Sequence, residues 1–266
     1  MRTALTTHWP EYLIEATGLG LFMLSACLFG TLFGHPESPV GAVIGRPLAL
    51  RALMGVAMGL TALGLVLSPW GKRSGAHFNP ALTFTFYRLG KISSWDAGFY
   101  ALAQFGGGLL GVALASALLH GALAHPSVRY VATTGMYGPA VAFVAEAAIS
   151  YALMTAVLVL SNIPALNRFT AIVVACLVAL YITFEAPLSG MSMNPARTLA
   201  SAVPARAFAD LWIYFVAPPI GMLGAAEIYV RRAIGRRVLC AKLHHENTAP
   251  CIFRCEYPTG SPLAAA

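Results

Sequence analysis

Apolar residues run in blocks of spanning length along this chain, at 12–33, 47–67, 95–119, 139–160, 169–186 and 211–230. A helix that crosses a bilayer needs about 20 such residues, so the pattern predicts six transmembrane helices and an all-α membrane fold. Two further apolar stretches, 79–89 and 194–203, have only about half the necessary length. Each opens on the same three residues, Asn79, Pro80 and Ala81 in the first and Asn194, Pro195 and Ala196 in the second. Asparagine is a good helix cap and proline is favoured in the first helical turn. Each motif therefore predicts the start of a short half-helix that enters the membrane without crossing it.

The two halves of the chain match beyond these motifs. SGAHFNPALT and SGMSMNPART stand 115 residues apart, and Glu15 in the first span is echoed by Glu146 in the fourth. The unit is three spans plus a half-helix, about 11–125 for repeat one and 138–235 for repeat two. An odd number of spans per unit turns the second copy upside down in the membrane. The half-helices then approach each other from opposite faces. Residues 1–235 are expected to form one membrane domain, and the polar remainder, 236–266, ending in SPLAAA, is expected to be a flexible cytoplasmic tail.

Composition agrees with a polytopic membrane protein, since 58% of residues are hydrophobic and 10% charged, against roughly 25% charged in soluble domains. The net charge of +7 does not point to nucleic acid, because the basic residues fall mainly in short loops and the tail, where topology and anionic lipid account for them. With the N-terminus inside, twelve lysines and arginines lie on the cytoplasmic side and five outside, so both termini are expected in the cytoplasm of a cell (plasma or inner) membrane. The first apolar run begins after Glu11 and continues as a full span, which is not the pattern of a cleavable signal. The five cysteines suggest no disulfide framework. Cys27 and Cys176 lie in apolar segments; Cys240, Cys251 and Cys255 share the tail with His244 and His245, at spacings that match no established zinc pattern. Neither a metal nor a cofactor is expected.

Non-helical backbone at membrane depth is tolerated only where protein buries it or where it lines a water-filled cavity. Two half-helices meeting head-on therefore imply a path. Each points the positive end of its dipole at the bilayer centre, where a cation is repelled from both sides, while the amides of Asn79 and Asn194 donate to a neutral oxygen. The loops before them run extended, and the carbonyls of Gly75, Ala76, His77, Gly190 and Ser192 offer acceptors along the way. Donors at the centre and acceptors on the flanks suit water or a small polyol. Arg197, three residues into the second half-helix, is expensive to bury unless it lines an aqueous pore; there it opposes cations, the alternative being a helix-end arginine snorkelling to the surface. The symmetric placement of Glu15 and Glu146 favours buttressing of the re-entrant loops over proton relay. His77 reads as a satisfied loop histidine or a pH gate, Gly106–Gly108 as a close-packing helix face, and Glu185 as a lining of the outer mouth. No nucleophile and base stand together, so an enzyme is not expected.

Those motifs and their duplicated layout resemble the aquaporin, or major intrinsic protein, family over about 10–235. The resemblance implies six tilted helices and two half-helices around one pore per subunit, and a homotetramer. It makes Asn79 and Asn194 the central donors and Arg197 the arginine of an outer constriction, with Met191 and Ile182 at two further constriction positions. AMGLT is similar to the family's AFGLT or AWGLT and selects Met58, at the expense of one extra residue in SPWGKRSG. Water-selective members commonly carry histidine at the position of Ile182 and an aromatic at that of Met58, so this filter is more apolar. Thr198, Ala202 and the pair Tyr214–Phe215 lean instead toward the water channels. The implied function is a passive channel for water and small neutral solutes such as glycerol. The alternative is a proton-coupled secondary transporter using Glu15 or Glu146.

Overall fold

The computed structural model describes residues 1–232, 237–245 and 251–257, and its regular elements there are all helical. Among the described residues, six helices are long and apolar enough to cross a membrane. We label the main elements α1 (Arg2–Gly34), α2 (Pro47–Leu67), α3 (Pro80–Arg88), α4 (Ser94–Leu119), α5 (Pro139–Ser161), α6 (Thr170–Leu180), α7 (Pro195–Ala205) and α8 (Leu211–Arg232). α6 runs on through a π-helical turn, Tyr181–Glu185, into Ala186–Ser189, and together these make the fifth span. The protein is thus a multi-pass membrane protein, with α3 and α7 as the two short helices that the Asn-Pro-Ala motifs predict.

α1 begins ten residues before the apolar run does. Hydropathy alone gave no reason to extend it, but polar contacts hold the extension in place. Asp96 accepts hydrogen bonds from Tyr12 Oη at 2.6 Å and from His8 Nδ1 at 2.8 Å, and Arg73 pairs with Glu11 at 2.8 Å. These contacts fasten the first helix to the start of α4 and to the loop before α3.

The repeat is visible in the packing. α1 lies along α4 and α5 along α8, while α2 of one half packs on α6 of the other. The intra-repeat contacts are backbone to backbone. A Cβ on Gly107 of α4 would stand 2.0 Å from the Ala16 carbonyl of α1, and one on Gly221 of α8 would stand 2.2 Å from the Ala147 carbonyl of α5. Small residues let membrane helices approach this closely, which explains Gly107 within the GGG run of α4, whereas a Cβ on Gly106 would meet nothing within 4 Å.

The expectation of a free tail needs correction for 237–245 and 251–257. Both segments fold back against the face on which α1 begins, here called the terminal face. Glu256 N donates to the Leu239 carbonyl at 2.8 Å, Arg254 N to the Lys91 carbonyl at 3.0 Å, and Leu243 N to the Gly75 carbonyl at 3.1 Å. Lys91 bridges to Glu256 at 2.7 Å. Val238, Cys240, Ala241, Leu243 and Phe253 are buried. These contacts reach across the sequence to loops around 75, 91 and 162, so composition gave no sign of them. The rest of the expected tail, 236, 246–250 and 258–266, lies outside the described residues.

Candidate functional site

Each half-helix starts with its asparagine as cap and its proline in the first turn. Asn79 Oδ1 accepts from Ala81 N at 2.9 Å, and Asn194 Oδ1 accepts from Ala196 N at 3.0 Å and Arg197 N at 3.2 Å. The amides then cross over: Asn79 Nδ2 donates to the Met193 carbonyl and Asn194 Nδ2 to the Phe78 carbonyl, both at 2.7 Å. A carboxamide has two N–H groups, so each asparagine is pinned by one and keeps the other. Pro80, Ala81, Pro195 and Ala196 stand behind these caps as helix-starting residues.

The loops that deliver the asparagines hold an unusual backbone. Ala76, Phe78, Met191 and Met193 all have positive φ, between 45° and 56°, and each such residue costs about 1 kcal/mol or more. Two buried carboxylates hold the strained loops. Glu15 accepts from His77 N at 3.1 Å, Phe78 N at 2.6 Å, Ser74 Oγ at 2.7 Å and Gln104 Nε2 at 2.8 Å. Glu146 accepts from Ser192 N and Met193 N at 2.7 Å and from Ser189 Oγ at 2.8 Å. Tyr100 donates to the Ser74 carbonyl at 2.7 Å, and Tyr214 makes the corresponding bond to Ser189. The inverted repeat thus reproduces the bonds from each loop to its carboxylate, with Gln104 added at Glu15 and Glu185 added at Ser189.

Between the loops runs a cavity of about 300 Å³. Asn79, Asn194, Met58, Ile182, Met191 and Arg197 all line it, so residues from α2, the fifth span and both re-entrant loops meet on one space. Ala76, His77, Gly190 and Ser192 line it as well. Gly75 does not, and its carbonyl is taken by Leu243 N. Glu15 and Glu146 sit behind the loops, fully buried and away from the cavity. Arg197 donates from Nη1 to Thr133 Oγ1. Glu185 is buried against Ser189 rather than lining the cavity.

Both nitrogens of His77 are engaged, Nδ1 with Thr83 Oγ1 at 3.0 Å and Nε2 with the Ala241 carbonyl at 2.8 Å. A carbonyl only accepts, so Nε2 carries the hydrogen and Nδ1 accepts from Thr83. That ring is fixed on one side by its own half-helix and on the other by the tail.

Among the lining residues that escape sequence reasoning are Phe22, Arg51, Met54 and Leu243. Arg51 Nε donates to the Thr183 carbonyl at 3.2 Å, within the π-helical turn that carries Ile182. Gly55 of α2 meets Ala179 and Thr183 of the fifth span. That contact sets Met54 at the depth of Ile182, with Met58 one turn further in. The signal was present as a methionine repeat at positions 54 and 58, but choosing between them requires the helix crossing. Nothing in the sequence foretells Leu243 or Thr133.

A family model described as "Major intrinsic protein" matches residues 5–229. Aquaporin NIP2-2 of Zea mays is 36% identical over 161 residues, which are 60% of this chain and 53% of that protein. Putative aquaporin NIP4-1 of Arabidopsis thaliana is 34% identical over 178 residues, 65% of this chain and 60% of its own length. The chain therefore spans between about half and three fifths of the length of these relatives. Among solved structures, the aquaglyceroporin from Plasmodium falciparum superposes with a TM-score of 0.68 at 20% identity, over 84% of this chain and 96% of that one. At that identity the likeness carries the fold.

Proposed function

The chain belongs to the major intrinsic protein family, and from that premise we propose that it is a passive channel for water and small neutral solutes such as glycerol, and not an enzyme. One observation supports this reading above the rest. Two half-helix N-termini face one cavity, and each presents an asparagine amide pinned by one N–H with the other left to a passing oxygen. A permeant oxygen held there accepts from both sides. Water in that position has both lone pairs taken, so it donates to its neighbours but cannot accept from them and the proton-conducting chain is broken, and the helix dipoles repel hydronium and cations. The carbonyls of Ala76, His77, Gly190 and Ser192 supply acceptors on the flanks.

In this reading Met58, Ile182, Met191 and Arg197 form the constriction on the side of the second half-helix, with Met54 beside Ile182. The wall there is apolar apart from Arg197 and the nearby Arg51, which donates to the Thr183 carbonyl; this suits a polyol that turns its carbon face to methionine and its hydroxyls to arginine. The assembly is a homotetramer in a cell membrane, with both termini cytoplasmic. A proton-coupled transporter is disfavoured, because Glu15 and Glu146 are enclosed by loop donors and have no access to the cavity.

Osmotic swelling of proteoliposomes tests the channel. Water and glycerol permeability are expected to exceed those of empty liposomes with no dependence on a proton gradient. Flux that needs the gradient, or no flux under any condition, refutes the proposal. The depth of Met54 gives a second test. Met54→Phe is expected to cut glycerol flux severalfold and at least as strongly as Met58→Phe, with water less affected; an effect confined to Met58→Phe would place the constriction a turn deeper.

A further inference from the structure

Conduction makes no use of the chemistry gathered beneath the terminal mouth of the cavity. There Cys240 Sγ lies 3.5 Å from Cys251 Sγ, and His245 Nε2 lies 3.0 Å from Cys255 Sγ. All four donor atoms fall within 4.8 Å of one another. A tetrahedral zinc ion, with Zn–S of about 2.3 Å and Zn–N of about 2.0 Å, separates the atoms of such a set by roughly 3.5 to 3.8 Å. The four side chains already stand near those separations, too close together for a polynuclear iron–sulfur cluster. Three thiols and an imidazole are a soft, nitrogen and sulfur set, which selects zinc over magnesium or calcium.

The surroundings fit as well. The four residues as a set match no established zinc spacing, but Cys251 and Cys255 alone have three residues between them, within the two to four typical of zinc-binding cysteine pairs. His245, not His244, completes the set. Its ring is stacked on Tyr257 with centroids 4.1 Å apart, and its backbone N–H donates to Asn167 Oδ1 at 3.1 Å. Three thiolates and one Zn²⁺ leave a net negative charge. Lys242, buried in the same segment, acts electrostatically on Cys251.

We propose that Cys240, His245, Cys251 and Cys255 bind one zinc ion, and that this ion holds the tail as a cap on the terminal mouth of the pore. Neither 237–245 nor 251–257 contains a helix or strand, and segments this small have too little core to hold a shape without a cross-link. Zinc supplies one. The cap it holds is specific. Leu243 lines the cavity, its N–H occupies the Gly75 carbonyl, the Ala241 carbonyl takes the His77 Nε2 hydrogen, and the Phe253 ring stacks on His77 at 5.3 Å. A pore-lining histidine and a carbonyl next to the permeation path are thereby tied to the metal-bound segment. Loss of the metal releases both.

The cap rests on the channel reading; zinc binding does not, so the two are measured separately on the full chain. Elemental analysis of protein purified under reducing conditions is expected to find about one zinc per chain, and cobalt substitution to give thiolate-to-cobalt charge-transfer bands, as mononuclear thiolate sites do. Both are expected to vanish in Cys251→Ser/Cys255→Ser. Absence of zinc from the wild type after exposure to it, or a Cys240–Cys251 disulfide in its place, overturns the site. In proteoliposomes a chelator is expected to raise wild-type water permeability severalfold, to leave the double variant unchanged, and to be mimicked by Leu243→Ala with its zinc still bound. Bound zinc with no chelator effect on a conducting wild type overturns the cap. If no form conducts, the channel reading fails instead, and limited proteolysis decides the cap: chelator-induced cleavage in 237–257 supports it, and unchanged protection refutes it.

Discussion

Glu146→Ala is expected to lose the folded pore, with a large drop in detergent-phase melting temperature and water flux at the level of empty liposomes. Glu146 is the common acceptor for Ser192 N, Met193 N and the Ser189 hydroxyl, all at buried residues. Removing it strands two buried backbone donors, Ser192 N and Met193 N, at about 1 to 3 kcal/mol each, while the Ser189 hydroxyl keeps Glu185. The loop they belong to carries Met191 and Met193 at positive φ, a strain of about 1 kcal/mol or more apiece that relaxes when the clamp goes. Together these approach the total stability of a typical domain, about 5 to 15 kcal/mol. Glu146→Gln is expected to fall between, since its carbonyl replaces one acceptor while its NH2 faces donors. Glu15→Ala is expected to act the same way in the first repeat. A thermally normal, conducting Glu146→Ala protein would show that the loop holds itself. A proton relay predicts the reverse pattern, with Glu146→Gln folded and stable but inactive.

The parts of this design that are local in sequence could be read from sequence. Asn-Pro at 79 and 194 fixes a cap and a first turn within four residues, and α3 and α7 start there. The pairing of Glu15 with Glu146 drew its weight from symmetry, and a duplicated loop placed opposite a duplicated carboxylate leaves few geometries. What escaped depends on distant contacts. The choice between Met54 and Met58 turns on how α2 crosses the fifth span at Gly55. Gly75 was expected to offer its carbonyl to the pore, but Leu243, far along the chain, takes it. Cys240, Cys251 and Cys255 share the tail with His244 and His245, but five residues of chain intervene between His245 and Cys251, so spacing does not join them into one site. Folding the tail back on Lys91 and Asn162 closes that gap.

Arg197→Ala is expected to open the constriction to solutes and to let cations leak. The backbone of Arg197 is fixed by its N–H donating to Asn194 Oδ1, and the guanidinium is anchored by Nη1 donating to Thr133. It therefore stands as a fixed charge beside Met191 and Ile182 on the cavity wall. At an effective dielectric constant of about 20, a cation passing at about 4 Å meets a repulsion of about 4 kcal/mol. Alanine removes that barrier, which corresponds to an increase of about two to three orders of magnitude in a barrier-limited cation rate. The dipoles and amides at Asn79 and Asn194 remain, so proton conduction is expected to rise less than that of alkali cations. Glycerol flux is expected to increase relative to water because a bulky side chain is gone. Ile182→His acts in the opposite direction, since a ring in place of a branched aliphatic narrows the same level and adds a donor that favours water; the glycerol-to-water ratio should fall severalfold. Thr133→Ala separates charge from positioning, as it keeps the guanidinium but frees it from its anchor, and should give an intermediate leak. Parallel measurements of water, glycerol and cation permeability read all three variants, and unchanged ratios in Arg197→Ala and Ile182→His would move the filter away from the second half-helix altogether.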